Sequence, residues 1–396
     1  MWTKSEERSS AFRRAFDFQL SLVRMEWSVL LVALLLFAVG FGFVREMAEA
    51  DLRFDRHGIR FDSHLKKVVV ALPALVLGFL VQPRWLRRNA SGVYVGALVL
   101  LALVFLVGEE RNNARRWIAM PMGFDLQPSE LAKLAVVVVL ARALYRRRLE
   151  SAGEWVAPLA LAALPMGMCV LQPDLGTALS IVPMTLGMFH LAGAPGRSLV
   201  GLCLAATLVL LGAWQMGFVQ DYQARRIETW IESFDDEALI AGKNGAAFHT
   251  YHARVAIGNG GFRGTGIGEG IANRAGHLPE RESDSIVAVI AEEGGFVGGG
   301  ALILLYSLLV GLLLNAAGAI RERYARLVVG GVALYFGAHF LIHVGVNLGL
   351  LPMTGLTLPL LSTGGSSMLT TFLALGLALG VRARWEPSLD QDAFRS

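Results

Sequence analysis

Long apolar runs recur along the whole chain, and short polar segments separate them. A helix that spans a bilayer needs about 20 mostly apolar residues, so a run approaching that length predicts a membrane-spanning helix. The predicted spans are Trp27–Val44, Val68–Gln82, Val93–Val107, Glu130–Leu144, Val156–Leu171, Thr177–Leu191, Leu199–Phe218, Ile286–Leu314, Leu327–Leu348 and Ser366–Val381. The eighth is long enough to tilt or to include a re-entrant piece. The pattern predicts an all-α integral membrane protein, a bundle of about ten transmembrane helices.

Composition supports the same class. Of the 396 residues, 54% are hydrophobic and only 17% are charged, and the mean hydropathy is +0.52. Soluble domains carry about 25% charged residues, so these values exclude an ordinary soluble protein. The two cysteines, Cys169 and Cys203, lie in apolar stretches without metal-ligand or redox-motif spacing, which favours a packing role.

Lysine and arginine residues cluster in alternate connections between the predicted spans. The clusters lie in residues 8–24, 84–88, 142–148, 197, 321–326 and 382–384. All fall on one side if both termini are cytoplasmic, as the positive-inside rule requires. This predicts a cytoplasmic N-terminal arm (residues 1–26), a polytopic transmembrane domain (27–381) and a cytoplasmic tail (382–396). Residues 219–285 then form a large extracytoplasmic loop between helices 7 and 8.

Polar segments interrupt or adjoin the apolar runs on the predicted outer face. They are Arg115–Trp117, Gln127–Lys133, Gln172–Thr177, Leu278–Asp284, Pro352–Gly355 and Ser362–Ser367. An ionisable group at bilayer depth costs roughly 2.5–3.5 kcal/mol, so such residues usually face a cavity or a partner. Their recurrence predicts one polar site assembled inside the helical bundle.

Three arginines, Arg111, Arg115 and Arg116, lie on the predicted outer face, where the positive-inside rule disfavours them. A bound phosphate or pyrophosphate is one explanation, because guanidinium groups match phosphate oxygens two at a time. The alternative is that they lie at the headgroup level or pair with Glu109 and Glu110. Charge alone favours neither explanation.

Glu130 and Lys133 begin the fourth span three residues apart, so they share a helical face and can pair. Pro128 and Ser129 are ordinary signals of a helix start, with the serine as the cap. A pair that only tethers the helix end is the simpler explanation. The pair lies just inside the membrane, after a basic loop, and this position favours a role in lining the site.

Asp284 stands where the eighth span begins, beside Arg281, and two explanations are open. Ser283 or Asp284 suits a helix N-cap, and the aspartate complements the helix dipole. A carboxylate at the membrane boundary is also the general base that a hydroxyl nucleophile needs. Deeper in the same span, Glu292 and Glu293 are costly unless they are paired or functional.

Together these segments resemble the SEDS family, which includes RodA, FtsW and SpoVE. The matching stretches are residues 115–117, 127–133, 172–179, 257–266, 278–284, 291–294 and 350–367, in family order. The resemblance implies ten transmembrane helices with both ends cytoplasmic, in the bacterial cytoplasmic (inner) membrane. It also implies a peptidoglycan glycosyltransferase that polymerises lipid II outside the membrane, with a class B penicillin-binding protein as partner.

The resemblance also assigns roles to individual residues. Asp284 takes the place of the family's essential aspartate. The residues implied to bind lipid II or its pyrophosphate are Arg116, Trp117, Glu130, Lys133, Glu280 and Ser366. Arg225 and Arg226 are further candidates, because cations stabilise the negative charge that develops on the leaving pyrophosphate. No motif demands a cofactor or a nucleic acid, although a divalent cation bridging carboxylate and pyrophosphate is compatible with the sequence.

The chain departs from the family pattern close to Asp284. Ser283 and Ser285 replace a threonine and a phenylalanine, and His343 and His252 stand where asparagine and glutamine are usual. These changes leave substrate detail, the choice of partner, and a RodA-like or FtsW-like role open.

Two other classes of function are open as well. A flippase or transporter of a lipid-linked precursor would also show ten helices with buried charges, although it usually places charges along a path with matching repeats. Here every conspicuous polar cluster except Glu292 and Glu293 maps to the outer half, and no clear internal repeat is found. A non-catalytic scaffold of an elongation or division complex is the third class, and the altered neighbours of Asp284 keep it open.

Overall fold

The apolar runs fold as helices, because a helix satisfies its own backbone hydrogen bonds in a lipid environment. The computed structural model describes residues 25–54, 58, 60–111, 114–120, 124–216, 221–245, 247–271, 274, 278 and 280–384. Ten helices of 17 residues or more are described: α1 Trp27–Arg53, α2 Phe61–Leu80, α3 Pro83–Val107, α4 Pro128–Leu144, α5 Ala152–Leu171, α6 Leu175–Leu191, α7 Gly196–Gln215, α11 Ile286–Gly318, α12 Arg323–Asn347 and α13 Gly365–Ala383. Among the described residues between α7 and α11 lie three shorter helices, α8 Asp221–Glu232, α9 Asp236–Ala241 and α10 Phe248–Asn259.

Each predicted span coincides with one of the ten long helices. Within the described ranges, seven helices are long and apolar enough to cross a membrane by length and composition, namely α1, α2, α3, α5, α11, α12 and α13. The chain is therefore a multi-pass, mostly helical membrane protein, as predicted. The count of ten spans and the side on which residues 219–285 lie stay predictions. Several helices extend past the predicted ends, because hydropathy detects only the apolar part of a helix.

The centre of the bundle is formed by α4, α12 and α13, whose side chains are mostly buried. Helix α13 packs closely against α2 through Gly376 and Gly380, where a Cβ atom would collide with the backbone carbonyls of Leu75 and Phe79. Small residues four apart allow such close approach of helices in membranes. This contact fixes the position of α13, whose first turn reaches the site described below.

The connection between the third and fourth predicted spans contains a small antiparallel sheet. Strands β1 Glu109–Arg111, β2 Ala114–Met120 and β3 Phe124–Leu126 pair in the order β1-β2-β3. Among the described residues, the strands are therefore short and lie between α3 and α4. The sheet places Arg116 and Trp117 on a strand beside the start of α4.

The eighth predicted span is a helix with a kink. Gly295 in α11 has φ 65° and ψ −163°, which only glycine adopts readily. The glycine-dense turn after α10 docks at this kink: the backbone N–H groups of Thr265 and Gly266 donate to the carbonyls of Glu292 and Glu293 at 3.0 and 3.1 Å. The turn thus supplies hydrogen-bond donors to the backbone carbonyls beside the kink of α11.

Glu292 and Glu293, the two glutamates deep in the eighth span, both accept hydrogen bonds, as the free-energy cost of burying them predicted. Glu292 is 0% exposed and accepts a hydrogen bond from Asn259 Nδ2 at 3.4 Å. Glu293 accepts one from the Gly268 backbone N–H at 2.8 Å. Both carboxylates therefore hold the segment between α10 and α11 against the bundle.

Candidate functional site

A polar cavity of about 800 Å³ opens at the end of the bundle where α4, α6, α11 and α13 begin. Its ionisable lining is mixed, with four basic and six acidic residues besides His249: Lys67, Arg116, Arg225, Arg226, Asp125, Glu130, Asp174, Glu280, Glu282 and Asp284. Segments that are far apart in the sequence thus meet in one site, as the scattered polar clusters predicted.

Eight of the nine site residues proposed from the sequence line this cavity. They are Arg116, Trp117, Glu130, Arg225, Arg226, Glu280, Asp284 and Ser366. The ninth, Lys133, does not line it: its side chain is 0% exposed and lies one helical turn deeper in α4. Direct contact between Lys133 and a pyrophosphate is therefore not supported by its position.

Lys133 instead joins a buried hydrogen-bonded group behind the cavity wall. Its Nζ donates to Glu130 Oε1 at 2.8 Å and lies 2.6 Å from His339 Nε2. His339 Nδ1 lies 2.8 Å from the Tyr335 carbonyl, so the ring donates at Nδ1 and accepts from the lysine at Nε2. The predicted Glu130–Lys133 pair is present, and it anchors α4 to α12.

The two neighbouring arginines have different environments. Arg115 pairs with Glu110 at 3.3 Å on the surface, which matches the surface-pairing explanation. Arg116 lines the cavity, where its guanidinium donates to the carbonyls of Gln172 and Pro173 and lies 4.0 Å from Asp174. The cavity explanation therefore concerns Arg116, and the side chain of Arg111 lies outside the described residues.

The first turns of α4 and α6 are joined through Asp174. Gln127, not Ser129, is the N-cap of α4, so the predicted serine cap is wrong. Ser129 Oγ and Gln127 Nε2 both donate to Asp174 Oδ2, at 2.8 and 2.9 Å. Asp174 Oδ1 caps α6 by accepting from the Thr177 backbone N–H. One carboxylate therefore aligns two helix starts at the cavity.

Ser366 connects α13 to the sheet. Its hydroxyl donates to the Asp125 carbonyl at 2.6 Å and accepts from the Gln127 backbone N–H at 2.7 Å. Ser366 lines the cavity, but its hydrogen bonds give it a role in shaping the wall.

Asp284 is not a helix cap. The N-cap of α11 is Ser285, whose side chain makes no capping hydrogen bond, so neither Ser283 nor Asp284 has the capping role that the sequence left open. Arg281, predicted to lie beside Asp284 at the site, is buried and pairs with Asp51 of α1. The half-buried Asp284 carboxylate is left facing the cavity.

Side chains from α12 and the segment before α13 hold the turn that carries Asp284. The Ser283 carbonyl accepts from Ser362 Oγ at 2.6 Å and from His343 Nε2 at 3.1 Å. The Asp284 carbonyl accepts from Asn347 Nδ2 at 3.0 Å. His343, the departure from the family pattern in the ninth span, therefore supports the backbone beside Asp284.

Burial raises the pKa of Asp284 to about 7, and the negative charge of Glu280 acts in the same direction. Burial also raises the pKa of the neighbouring Glu282. A carboxyl whose pKa lies near neutrality can accept a proton and release it again at physiological pH. The Asp284 carboxyl thus lines the cavity with a raised pKa.

Lys67 and His249 are two of the cavity residues that were not proposed from the sequence. Lys67 lies between the first two predicted spans, hence on the predicted outer face, and the structure places it within α2. Like Arg116, Lys67 is a cation on the predicted outer face, and that feature could have identified it. His249 of α10 also lines the cavity, and burial lowers the pKa of its ring. A lone histidine in a polar segment carries no distinguishing pattern.

Among the described residues, no group of three or more His, Cys, Asp or Glu side chains is arranged to hold a metal ion. The divalent cation that the sequence left open stays a prediction.

Comparison with known proteins shows where this architecture has been found before. The family model FTSW_RODA_SPOVE, described as "Cell cycle protein", matches residues 26–385. A probable peptidoglycan glycosyltransferase FtsW from Burkholderia thailandensis is 36% identical over 332 residues, covering 80% of this chain and 69% of that protein. A protein of the same name from Thiomicrospira cyclica is 32% identical over 379 residues, covering 93% and 94%.

Solved structures agree with the sequence relatives. A chain from a peptidoglycan synthase complex, studied for the coordination of polymerization and crosslinking, superposes with a TM-score of 0.76 at 31% identity, covering 91% of this chain and 99% of that one. The rod shape determining protein RodA of Thermus thermophilus gives a TM-score of 0.65 at 28% identity, covering 90% and 96%. On the family match and these relatives, the chain belongs to the FtsW/RodA/SpoVE family, the SEDS family.

Proposed function

We propose that this protein is a peptidoglycan glycosyltransferase that polymerises lipid II into glycan strands at the outer face of the bacterial cytoplasmic membrane, during cell elongation or division. The observation that carries the proposal is Asp284: a non-capping carboxylate with a raised pKa, held by its backbone in a cavity that also contains cations. The FtsW relatives, whose name is peptidoglycan glycosyltransferase, support the reaction class.

The residues divide the chemistry between them. Asp284 removes the proton from the 4-hydroxyl of the acceptor sugar as the oxygen attacks the anomeric carbon of the donor. A new glycosidic C–O bond forms while the bond from that carbon to the lipid pyrophosphate breaks, with inversion. The electron pair leaves on the pyrophosphate, whose growing charge Arg225, Arg226 and Lys67 stabilise from the cavity wall.

Two further parts of the proposal concern partner and placement. A class B penicillin-binding protein is the partner that would crosslink the glycan product, and the similarity to a chain of a peptidoglycan synthase complex supports it. Both termini are cytoplasmic, and the cavity opens outward. A transporter is less well supported because the polar cavity lies at one end of the bundle, where α4, α6, α11 and α13 begin.

Purified protein with lipid II tests the function directly. We expect glycan strands to form, and to form faster when a class B transpeptidase is added. A scaffold would give no polymer under either condition. A flippase would move labelled lipid II across a vesicle membrane without polymerising it.

The raised pKa of Asp284 predicts a pH dependence. The base works only when ionised, so kcat/KM should fall about tenfold per pH unit below about pH 7 and level off above it. The rate of lipid II polymerisation measured from about pH 5.5 to about pH 9 checks this expectation. A profile that stays flat through neutrality would remove Asp284 as the titrating base.

Cysteine labelling tests the topology. Glu237, in α9, and Glu150, between α4 and α5, are exposed and belong to segments predicted on opposite sides. In a background where the exposed Cys203 is replaced by alanine, we expect Glu237→Cys to react with an impermeant maleimide in intact cells and Glu150→Cys to react only after lysis. Reaction of both from outside would contradict the predicted orientation.

A further inference from the structure

Three residues that line the cavity each have a buried side-chain atom without a hydrogen-bond partner among the described residues: Glu130 Oε2, at the start of α4, Thr177 Oγ1, at the start of α6, and His249 Nδ1, in α10. Glu130 and Thr177 are only 3% and 1% exposed. Buried polar atoms in native proteins are nearly always paired. The two unpaired oxygens at the helix starts are therefore candidates for hydrogen bonds that a ligand supplies.

The two atoms belong to helix starts that are joined to each other. Ser129, next to Glu130, donates to Asp174, and Asp174 caps the helix in which Thr177 lies. The contact brings the first turns of α4 and α6 side by side. Glu130 and Thr177 therefore lie in adjoining first turns that both line the cavity.

The chemistry of the two atoms restricts the ligand. Glu130 is ion-paired through its other oxygen with Lys133, so Oε2 is a carboxylate oxygen that only accepts hydrogen bonds. The Thr177 hydroxyl can donate or accept. A phosphate oxygen would be repelled by this carboxylate, whereas a hydroxyl or amide N–H would satisfy it.

We propose that the starts of α4 and α6 form a subsite for an uncharged hydrogen-bonding group of a sugar ring, either a hydroxyl or an acetamido N–H, in the lipid-linked substrate. This subsite rests on the proposed function. It divides the cavity by chemistry: the sugar is held by Glu130 and Thr177, and the pyrophosphate by the cations of α2 and α8. Such a contact away from the pyrophosphate orients the sugar ring toward Asp284.

Substitution of Thr177 by valine tests the subsite. Valine keeps the shape and removes the hydroxyl, which makes no hydrogen bond with the described residues, so folding should not suffer. We expect KM for lipid II to rise about three- to tenfold, as for the loss of one hydrogen bond, with the melting temperature in detergent unchanged. Thr177→Ser, which keeps a hydroxyl, should stay near the wild type.

Thr185 provides a matched control in the same helix. It is buried, its hydroxyl is also unpaired among the described residues, and it is not part of the cavity lining. Thr185→Val should therefore leave KM unchanged. Equal KM values for Thr177→Val and the wild type would overturn the subsite, and so would equal losses in the Thr177 and Thr185 variants.

Binding separates this inference from the proposed function. If wild-type protein fails to polymerise lipid II, the reaction is wrong, and the affinity for fluorescent lipid II still decides the subsite. A lower affinity of Thr177→Val, with Thr185→Val unchanged, supports it, and equal affinities overturn it. A substrate analogue without the N-acetyl group distinguishes the two donors, because the Thr177→Val effect disappears only if the acetamido group is bound.

Discussion

Asp284→Asn is expected to abolish glycan polymerisation while the protein still folds and binds its partner. The amide is nearly isosteric with the carboxylate but cannot accept the proton of the attacking hydroxyl. Loss of a general base typically lowers the rate by about 10²–10⁴-fold. The loss of stability should be small, because Ser285 rather than Asp284 is the N-cap of α11. The hydrogen bonds that hold this turn go to the backbone carbonyls of Ser283 and Asp284, which the substitution leaves in place. Lipid II polymerisation and the melting temperature in detergent measure the two effects.

Asp235→Asn is a suitable control for the same chemical change. Asp235 caps α9 with its side chain and is not among the residues that line the cavity. Its amide variant should keep full activity. If Asp284→Asn polymerises lipid II at the wild-type rate, Asp284 has no part in the mechanism, and Glu130 becomes the next candidate base.

Lys133→Met is expected to destabilise the protein rather than only weaken substrate use. Removing Lys133 leaves the Glu130 carboxylate buried without its positive partner, and His339 loses a donor. Breaking a buried ion pair from one side typically costs about 3–5 kcal/mol. The melting temperature should therefore fall strongly. The double variant Lys133→Met with Glu130→Gln should recover much of the loss, because no unpaired charge then stays buried.

Arg115→Met provides the comparison for the ion-pair experiment. Arg115 pairs with Glu110 at the surface, where such pairs contribute about 0–1 kcal/mol. Its melting temperature should stay close to that of the wild type. A stable Lys133→Met protein with poor use of lipid II would contradict the structural role and return Lys133 to the substrate site.

The sequence by itself determined the class, the helices and most of the site residues. Apolar runs identify a helix in lipid because each helix satisfies its backbone internally, so ten runs predicted the ten long helices. Charges that are costly in a membrane mark a site wherever they recur, and Arg116, Glu130 and Asp284 were found for that reason. These signals are local and do not depend on how the helices pack.

Only the tertiary structure decided which polar residues face the cavity and which support it. Lys133 follows Glu130 by one turn, yet packing against His339 directs the lysine into the bundle and leaves the glutamate on the cavity wall. Whether Asp284 caps its helix depended on the backbone angles and hydrogen bonds at Ser285. Lys67 joined the site from a distant helix. Each depends on contacts between segments far apart in the chain, and such contacts leave no periodic pattern in the sequence.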